Sequence, residues 1–202
     1  MTILPMYPTS INEKYMELVI NTLRDGGIII YPTDSPYAIG CNALNNQAIE
    51  RICRIKGINP AKTNLSIICH DISQSAEYAR IDNRAFRIMK DNLPGPFTFL
   101  LPASTTLPKV FKGRKTVGVR IPDNAIAREI AMRMDSPLLT TSIQWDTEDE
   151  AINPESIAMR YSDTVDIVID GGEGGTEPST VIDITDSSNP EIIRQGLGEI
   201  EL

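Results

Sequence analysis

The segment from Gly27 to Gly40, GIIIYPTDSPYAIG, constrains this chain more than any other stretch. Ile28, Ile29, Ile30 and Tyr31 are β-branched or aromatic, and no polar residue alternates with them. A short unbroken apolar run bounded by Gly and Pro predicts a strand, 27–31, buried on both faces. The run stops at Pro32 and gives way to Thr33, Asp34 and Ser35. A polar loop beyond the carboxyl end of a buried strand is where open α/β sheets hold ligands. Thr33 and Ser35 can hydrogen-bond such a ligand and Tyr37 can pack on it. The same residue types also favour a simple Asx- or ST-turn.

Around this strand the pattern alternates. Helical spacing predicts a helix over 12–25, with Tyr15, Leu18, Val19, Thr22 and Leu23 inward, capped by Ser10 or Asn12 and ended by Gly26-Gly27. A second helix is expected over 46–56, followed by a loop through Gly57, Asn59 and Pro60 and an apolar strand over 65–69. Further helices are expected over 72–79 and from Asp82 to about Asn92, with Ala85, Phe86, Met89 and Leu93 as the apolar stripe of the second. A strand is expected over 97–101 and another over 116–122, where Val117, Val119 and Ile121 alternate with Thr116, Gly118 and Arg120. Asp123 is expected to cap a helix reaching about Met134. A strand over 138–142, an acidic loop over 143–153 and a helix from Pro154 follow. Strands over 165–172, 179–185 and 191–196 close the chain. Helices and strands alternate early and strands cluster late, and 202 residues suit one domain. The fold expected is a single α/β domain with an open, twisted, mixed sheet and flanking helices.

Composition narrows the function. No apolar run approaches the ~18 residues that span a bilayer. The N-terminal residues carry no basic segment of a signal peptide, so the cytoplasm is the expected compartment. Three cysteines and one histidine, His70, leave few ligands for a metal site, and none is expected. His70 reads as a cap or surface residue. A formal net charge of −8 opposes avid, sequence-independent binding to nucleic acid. The nearest basic stretch carries Lys109, Lys112, Arg114, Lys115 and Arg120.

No nucleophile elbow, phosphate loop or dinucleotide fingerprint stands where it should. What remains is a scatter of hydroxyls and cations at strand ends: Thr33, Ser35, Lys56, Thr116, Arg120, Thr140, Thr141, Ser142, Ser179, Thr180 and Arg194. Arg120 stands out, because it occupies one side of an apolar strand beside Gly118, which leaves room for a close approach. Such an arginine is either half of a buried pair with an acid or a carboxylate or phosphate binder.

Five blocks carry a resemblance. PTDSPYAIG resembles the PTDTVYGLG signature of the YrdC/YciO family. LPGPFTFLL resembles its WPGPLTLIL and TVGVRIPDN its TVAVRVPDH. PSTVIDIT resembles PSTVVD, and IIRQG resembles I-x-R-x-G. Their order, over about 12–198, is the family's, and the fold it implies is YrdC-like. The characterised members condense L-threonine, bicarbonate and ATP with Mg²⁺ to threonylcarbamoyl-AMP and pyrophosphate, for modification of tRNA. The resemblance implies Thr33, Arg120, Thr140 and Ser179 around the threonine, and Lys56, Thr116, Ser142 and Arg194 around the nucleotide. Two departures fall on the nucleotide side. The family's K-G-R-P reads Lys56-Gly57-Ile58-Asn59, and its S-A-N reads Ser142-Ile143-Gln144. This pattern is closest to the YciO branch. The alternatives are a nucleotide- or double-stranded-RNA-binding protein without the full reaction, and a binder of some other small carboxylate.

Overall fold

The computed structural model describes residues 1–113 and 115–201, leaving aside the side chains of 112 and 113. One ten-stranded sheet runs through it. In chain order the strands are β1 (Thr2–Pro5), β2 (Ile29–Tyr31), β3 (Ala38–Asn42), β4 (Ser66–Ile68), β5 (Phe97–Pro102), β6 (Thr116–Arg120), β7 (Leu138–Ser142), β8 (Ile167–Asp170), β9 (Thr180–Asp183) and β10 (Glu191–Arg194). The helices are α1 (Glu13–Arg24), α2 (Asn46–Lys56), α3 (Ile72–Tyr78), α4 (Asn83–Asn92), α5 (Ala125–Met134), α6 (Glu148–Ile152) and α7 (Pro154–Arg160). The spatial strand order is β1-β8-β2-β3-β7-β4-β6-β5-β9-β10. Parallel pairs (β1·β8, β2·β8, β4·β6, β5·β9) mix with antiparallel ones (β2·β3, β3·β7, β4·β7, β5·β6, β9·β10), so the sheet is mixed as expected.

β2 is buried on both faces. Ile28 and Ile30 enter the core under α2, α4 and α7, while Ile29 and Tyr31 enter a second core under α1 and α5. Successive side chains of a strand point to opposite faces, so one continuous apolar run can feed two layers. The α1/α5 layer covers only part of its face. Toward β6, β5 and β9 that same face carries Thr140, Ser66, Gly118 and Leu100 side by side in register.

Several local expectations change. β3 forms where no strand was expected, held between β2 and β7 by pairing rather than by its own Ala, Gly and Asn residues. β1 is likewise unanticipated. Helix α6 occupies part of the acidic 143–153 stretch, capped by Thr147. The buried stripe of α1 is Met16, Val19, Ile20 and Leu23, whereas Leu18 is exposed. Phe86 of α4, expected inward, is 43% exposed. Asn124, not Asp123, caps α5: its Oδ1 accepts the Ile126 and Ala127 N–H groups, while Asp123 Oδ1 pairs with Arg128. In the basic stretch Lys109 and Lys115 are exposed and Arg120 is buried, while Arg114 and the Lys112 side chain lie outside the described residues. No helix among the described residues is long and apolar enough to cross a membrane.

Candidate functional site

Arg120 ends β6 on the face that α1 and α5 leave open, with only 7% of its side chain exposed. Its Nη2 donates to Asp34 Oδ1 at 3.1 Å and to Ser35 Oγ at 2.8 Å. Asp34 is itself held: its Oδ2 accepts the Asp123 N–H at 2.7 Å. Both readings of Arg120 therefore bear on the geometry, since the pair with an acid is real and the guanidinium is not used up by it. Nε is buried and has no hydrogen-bond partner among the described residues. A buried donor left unpaired costs about 1–3 kcal/mol, so it marks a place where a ligand or a water is wanted.

A cavity of about 240 Å³ adjoins Arg120. Thr98, Thr140, Ser142 and Ser179 give it hydroxyls, Arg194 a second guanidinium, and Ile58 and Ile193 an apolar rim. Thr140 accepts the Tyr31 hydroxyl at 2.8 Å, which fixes its rotamer. Ser179 and Thr98 share a hydrogen bond of 2.9 Å. Arg194, on the edge strand β10, donates through Nε and Nη2 to the Ser179 carbonyl at 3.2 and 2.7 Å. Gly118 lies under this floor. A Cβ there would collide with Ser66 Oγ and press on Thr98 Cγ2, so its close approach is to side chains and not to a ligand.

The electrostatics favour an anion. Burial lowers the Arg120 pKa, and Asp34 opposes that shift. Burial also lowers the Arg194 pKa, with a further push from the positive charge of Arg120. Two guanidiniums that repel each other across a hydroxyl-lined hollow are relieved by negative charge placed between them. Lys56 sits at the rim, its Nζ donating to the Ser142 carbonyl at 2.5 Å, and desolvation lowers its pKa as well.

Of the eight residues singled out from sequence, Arg120, Thr140, Ser142, Ser179 and Arg194 line this one cavity. Lys56 reaches it through Ser142, and Thr116 through Asn64, whose Oδ1 accepts its hydroxyl at 3.2 Å. Thr33 lines a neighbouring hollow of about 270 Å³, roofed by the 171–175 glycine-rich turn and Leu197. Its hydroxyl donates to the Pro36 carbonyl and accepts the Ser35 N–H, forming the turn that was its plainer reading. Asp34 was missed as a site residue, although an acid inside a strand-end loop was the available signal.

Comparison with known proteins shows the family of this fold. The family model for Sua5, YciO and YrdC, described as "Telomere recombination", matches residues 21–196. The chain belongs to this family. Escherichia coli YciO, named an uncharacterized protein, is 38% identical over 199 residues, which is 97% of this chain and 96% of that one. Its crystal structure superposes with a TM-score of 0.90 over 98% of both chains. The threonylcarbamoyl-AMP synthase of Pyrococcus abyssi is 33% identical over all of this chain and 60% of its own length. The structure of P. abyssi Sua5 complexed with L-threonine matches at 29% identity with a TM-score of 0.87, over 97% of this chain and 58% of that one. Within the Sua5/YciO/YrdC family, the chain thus resembles both a branch without a stated activity and the synthases.

Proposed function

We propose that the chain is a threonylcarbamoyl-AMP synthase-like protein of the tRNA threonylcarbamoyladenosine modification system, using L-threonine, bicarbonate and ATP. One observation carries the reading. Arg120 offers an unpaired Nε beside a cavity while Asp34 and Ser35 hold its other end. A guanidinium so anchored is preorganised for a carboxylate.

In this reading Arg120 binds the threonine carboxylate, and the Thr140 and Ser179 hydroxyls orient the bound amino acid. Thr33 acts through its turn, which presents Ser35 to Arg120. The threonine amine takes up carbon dioxide from bicarbonate as a carbamate, with loss of water. A carbamate oxygen then bonds to the α-phosphorus of ATP as the bond to pyrophosphate breaks. Arg194, Lys56, Ser142 and Thr116 surround the phosphates and hold the developing charge. Such chemistry depends on position and charge more than on a protein nucleophile. No Asp or Glu is among the described residues lining the cavity, and both Asp34 oxygens are engaged. Mg²⁺ fits here as an ion carried on the nucleotide's phosphates, where it offsets their charge.

A second reading, nucleotide or double-stranded RNA binding without the full reaction, is favoured by Ile58. It presents an aliphatic side chain to the cavity directly after Lys56-Gly57. Pyrophosphate release with ATP, L-threonine, bicarbonate and Mg²⁺ decides between them. Threonine-dependent release supports the synthase. Background release with retained ATP or RNA affinity supports the second reading and removes the first.

A further inference from the structure

A further hollow, of about 400 Å³, opens at the carboxyl ends of the parallel pair β4 and β6 and shares no lining residue with the cavity beside Arg120. Crevices at the carboxyl ends of parallel strands are where α/β sheets take ligands. Phe86, Leu93 and Ile121 give this one its apolar surface, and His70, Lys90 and Arg128 stand around it. Phe86 and Lys90 are one turn apart on α4, and Phe86 is 43% exposed, so a large aromatic side chain faces this hollow from a solvent-accessible position. The amide of Gln74 donates to the Ala131 carbonyl, which leaves its oxygen to accept both the N–H and Nδ1 of His70. The one acid in the lining, Asp71, is occupied by the Gln74 N–H and lies 3.3 Å from His70 Nε2. Lys90 and Arg128 thus set two cations against this one acid in the lining, on a chain of net charge −8.

We propose that this hollow binds a small carboxylate bearing an aromatic-sized apolar group, and that its occupation is transmitted to Arg120. The apolar surface takes the ring, and Lys90 and Arg128 take the carboxylate. The link to the first cavity is a short polar chain. Arg128 Nη1 donates to the Pro122 carbonyl at 2.7 Å and pairs with Asp123 Oδ1 at 3.3 Å. The Asp123 N–H holds Asp34 at 2.7 Å, and Asp34 holds Arg120 at 3.1 Å. A carboxylate that engages Arg128 Nη1 competes with both the Pro122 carbonyl and Asp123 Oδ1, and loosening that clamp shifts the 122–123 backbone whose N–H anchors Asp34. Ile121, next to Arg120 in sequence, lines the new hollow directly.

The test uses 3-phenylpropionate as the probe and 3-phenylpropanol as its uncharged match, titrated into the whole protein and followed by NMR. The expected result is saturable shifts at residues 70–73, 86–94 and 121–128, with the alcohol bound at least about fivefold more weakly. Lys90→Glu, an exposed change, should weaken the acid by a similar factor, and Arg194→Ala should leave its binding unchanged. Shifts centred on 63–66, 179–181 and 193–194 would place the acid in the first cavity and overturn the proposal, as would no shifts or equal binding of the alcohol. The coupling is read at the Arg120 Nε–H signal. It should move with the acid in the unmodified protein and stay still in Arg128→Gln. A signal that never moves, or moves equally in both, removes the coupling.

Discussion

A guanidinium enclosed like that of Arg120 cannot stand alone, because an uncompensated buried charge costs several kcal/mol. Asp34 compensates it from 86 positions earlier. Asp34→Ala should therefore destabilise the fold by about 3–5 kcal/mol in urea unfolding, more than a surface pair would. Asp34→Asn keeps an acceptor and should cost less, while weakening L-threonine binding because the guanidinium loses its fixed orientation. Equal stability of Asp34→Ala and the parent would dissolve the argument that the pair organises the site. Arg120→Ala should abolish threonine binding in calorimetry, and undiminished binding would remove its proposed role. Ile58 makes the opposite kind of test. Ile58→Arg adds a guanidinium to the cavity rim and should raise threonine-dependent pyrophosphate release, on the order of 10²-fold if one positioned donor is what the site lacks. At this scale Arg120 was readable from sequence, since a lone cation interrupts an apolar alternation. Its partner was not, because pairing across 86 residues leaves no periodic trace.

The strands show the same division between local and distant causes. β2 was legible because a short run of β-branched and aromatic residues bounded by Gly27 and Pro32 favours a doubly buried strand over a helix. β3 was not, because Ala38, Gly40 and Asn42 have poor strand propensity and are extended by the ladders on either side. Gly40 records that enclosure. A Cβ at this position would stand 2.5 Å from the Leu139 carbonyl and 2.9 Å from the Tyr31 ring. The carbonyl belongs to the backbone of β7 and has little freedom to retreat. Gly40→Ala should cost about 1–3 kcal/mol of stability through overpacking. It should also shift Tyr31, whose hydroxyl holds Thr140 at the cavity wall. The check is a urea midpoint that falls without a change in slope. The shared face of β7, β4, β6 and β5 was only half visible. Thr140, Ser66 and Gly118 each look like ordinary strand residues, and it is the register that lines them up.

Across the whole molecule, burial in the core under α2, α4 and α7 also sets how the fold responds to alkali. Cys41, Cys53 and Cys69 are all buried free thiols. Burial pushes the thiols of Cys41 and Cys69 up to about 12, and the Tyr37 phenol, bonded to the Gly172 carbonyl, up to about 12 as well. Desolvation of the charged form is the leading cause in each case. The unfolded chain ionises its thiols from about pH 8.5 and its phenols from about pH 10. Above those values the unfolded state binds fewer protons than the folded one, so unfolding becomes easier as pH rises. Lys56 acts in the other direction, since its folded pKa is lowered. Between that lowered value and the ordinary one the unfolded lysine holds more proton than the folded, and its own contribution rises with pH. In this range the raised thiols and phenols outweigh the lowered Lys56, so the urea midpoint should fall steadily from about pH 8.5 upward. Cys41→Ser and Cys69→Ser should flatten that fall, because a serine hydroxyl does not titrate in the range. Thiol reagents should leave all three cysteines unmodified in the native protein and react with all three once it is unfolded. A midpoint flat to pH 11, or rapid native labelling of Cys41 or Cys69, would mean that the core under α2, α4 and α7, which holds all of these groups, is open to solvent rather than closed.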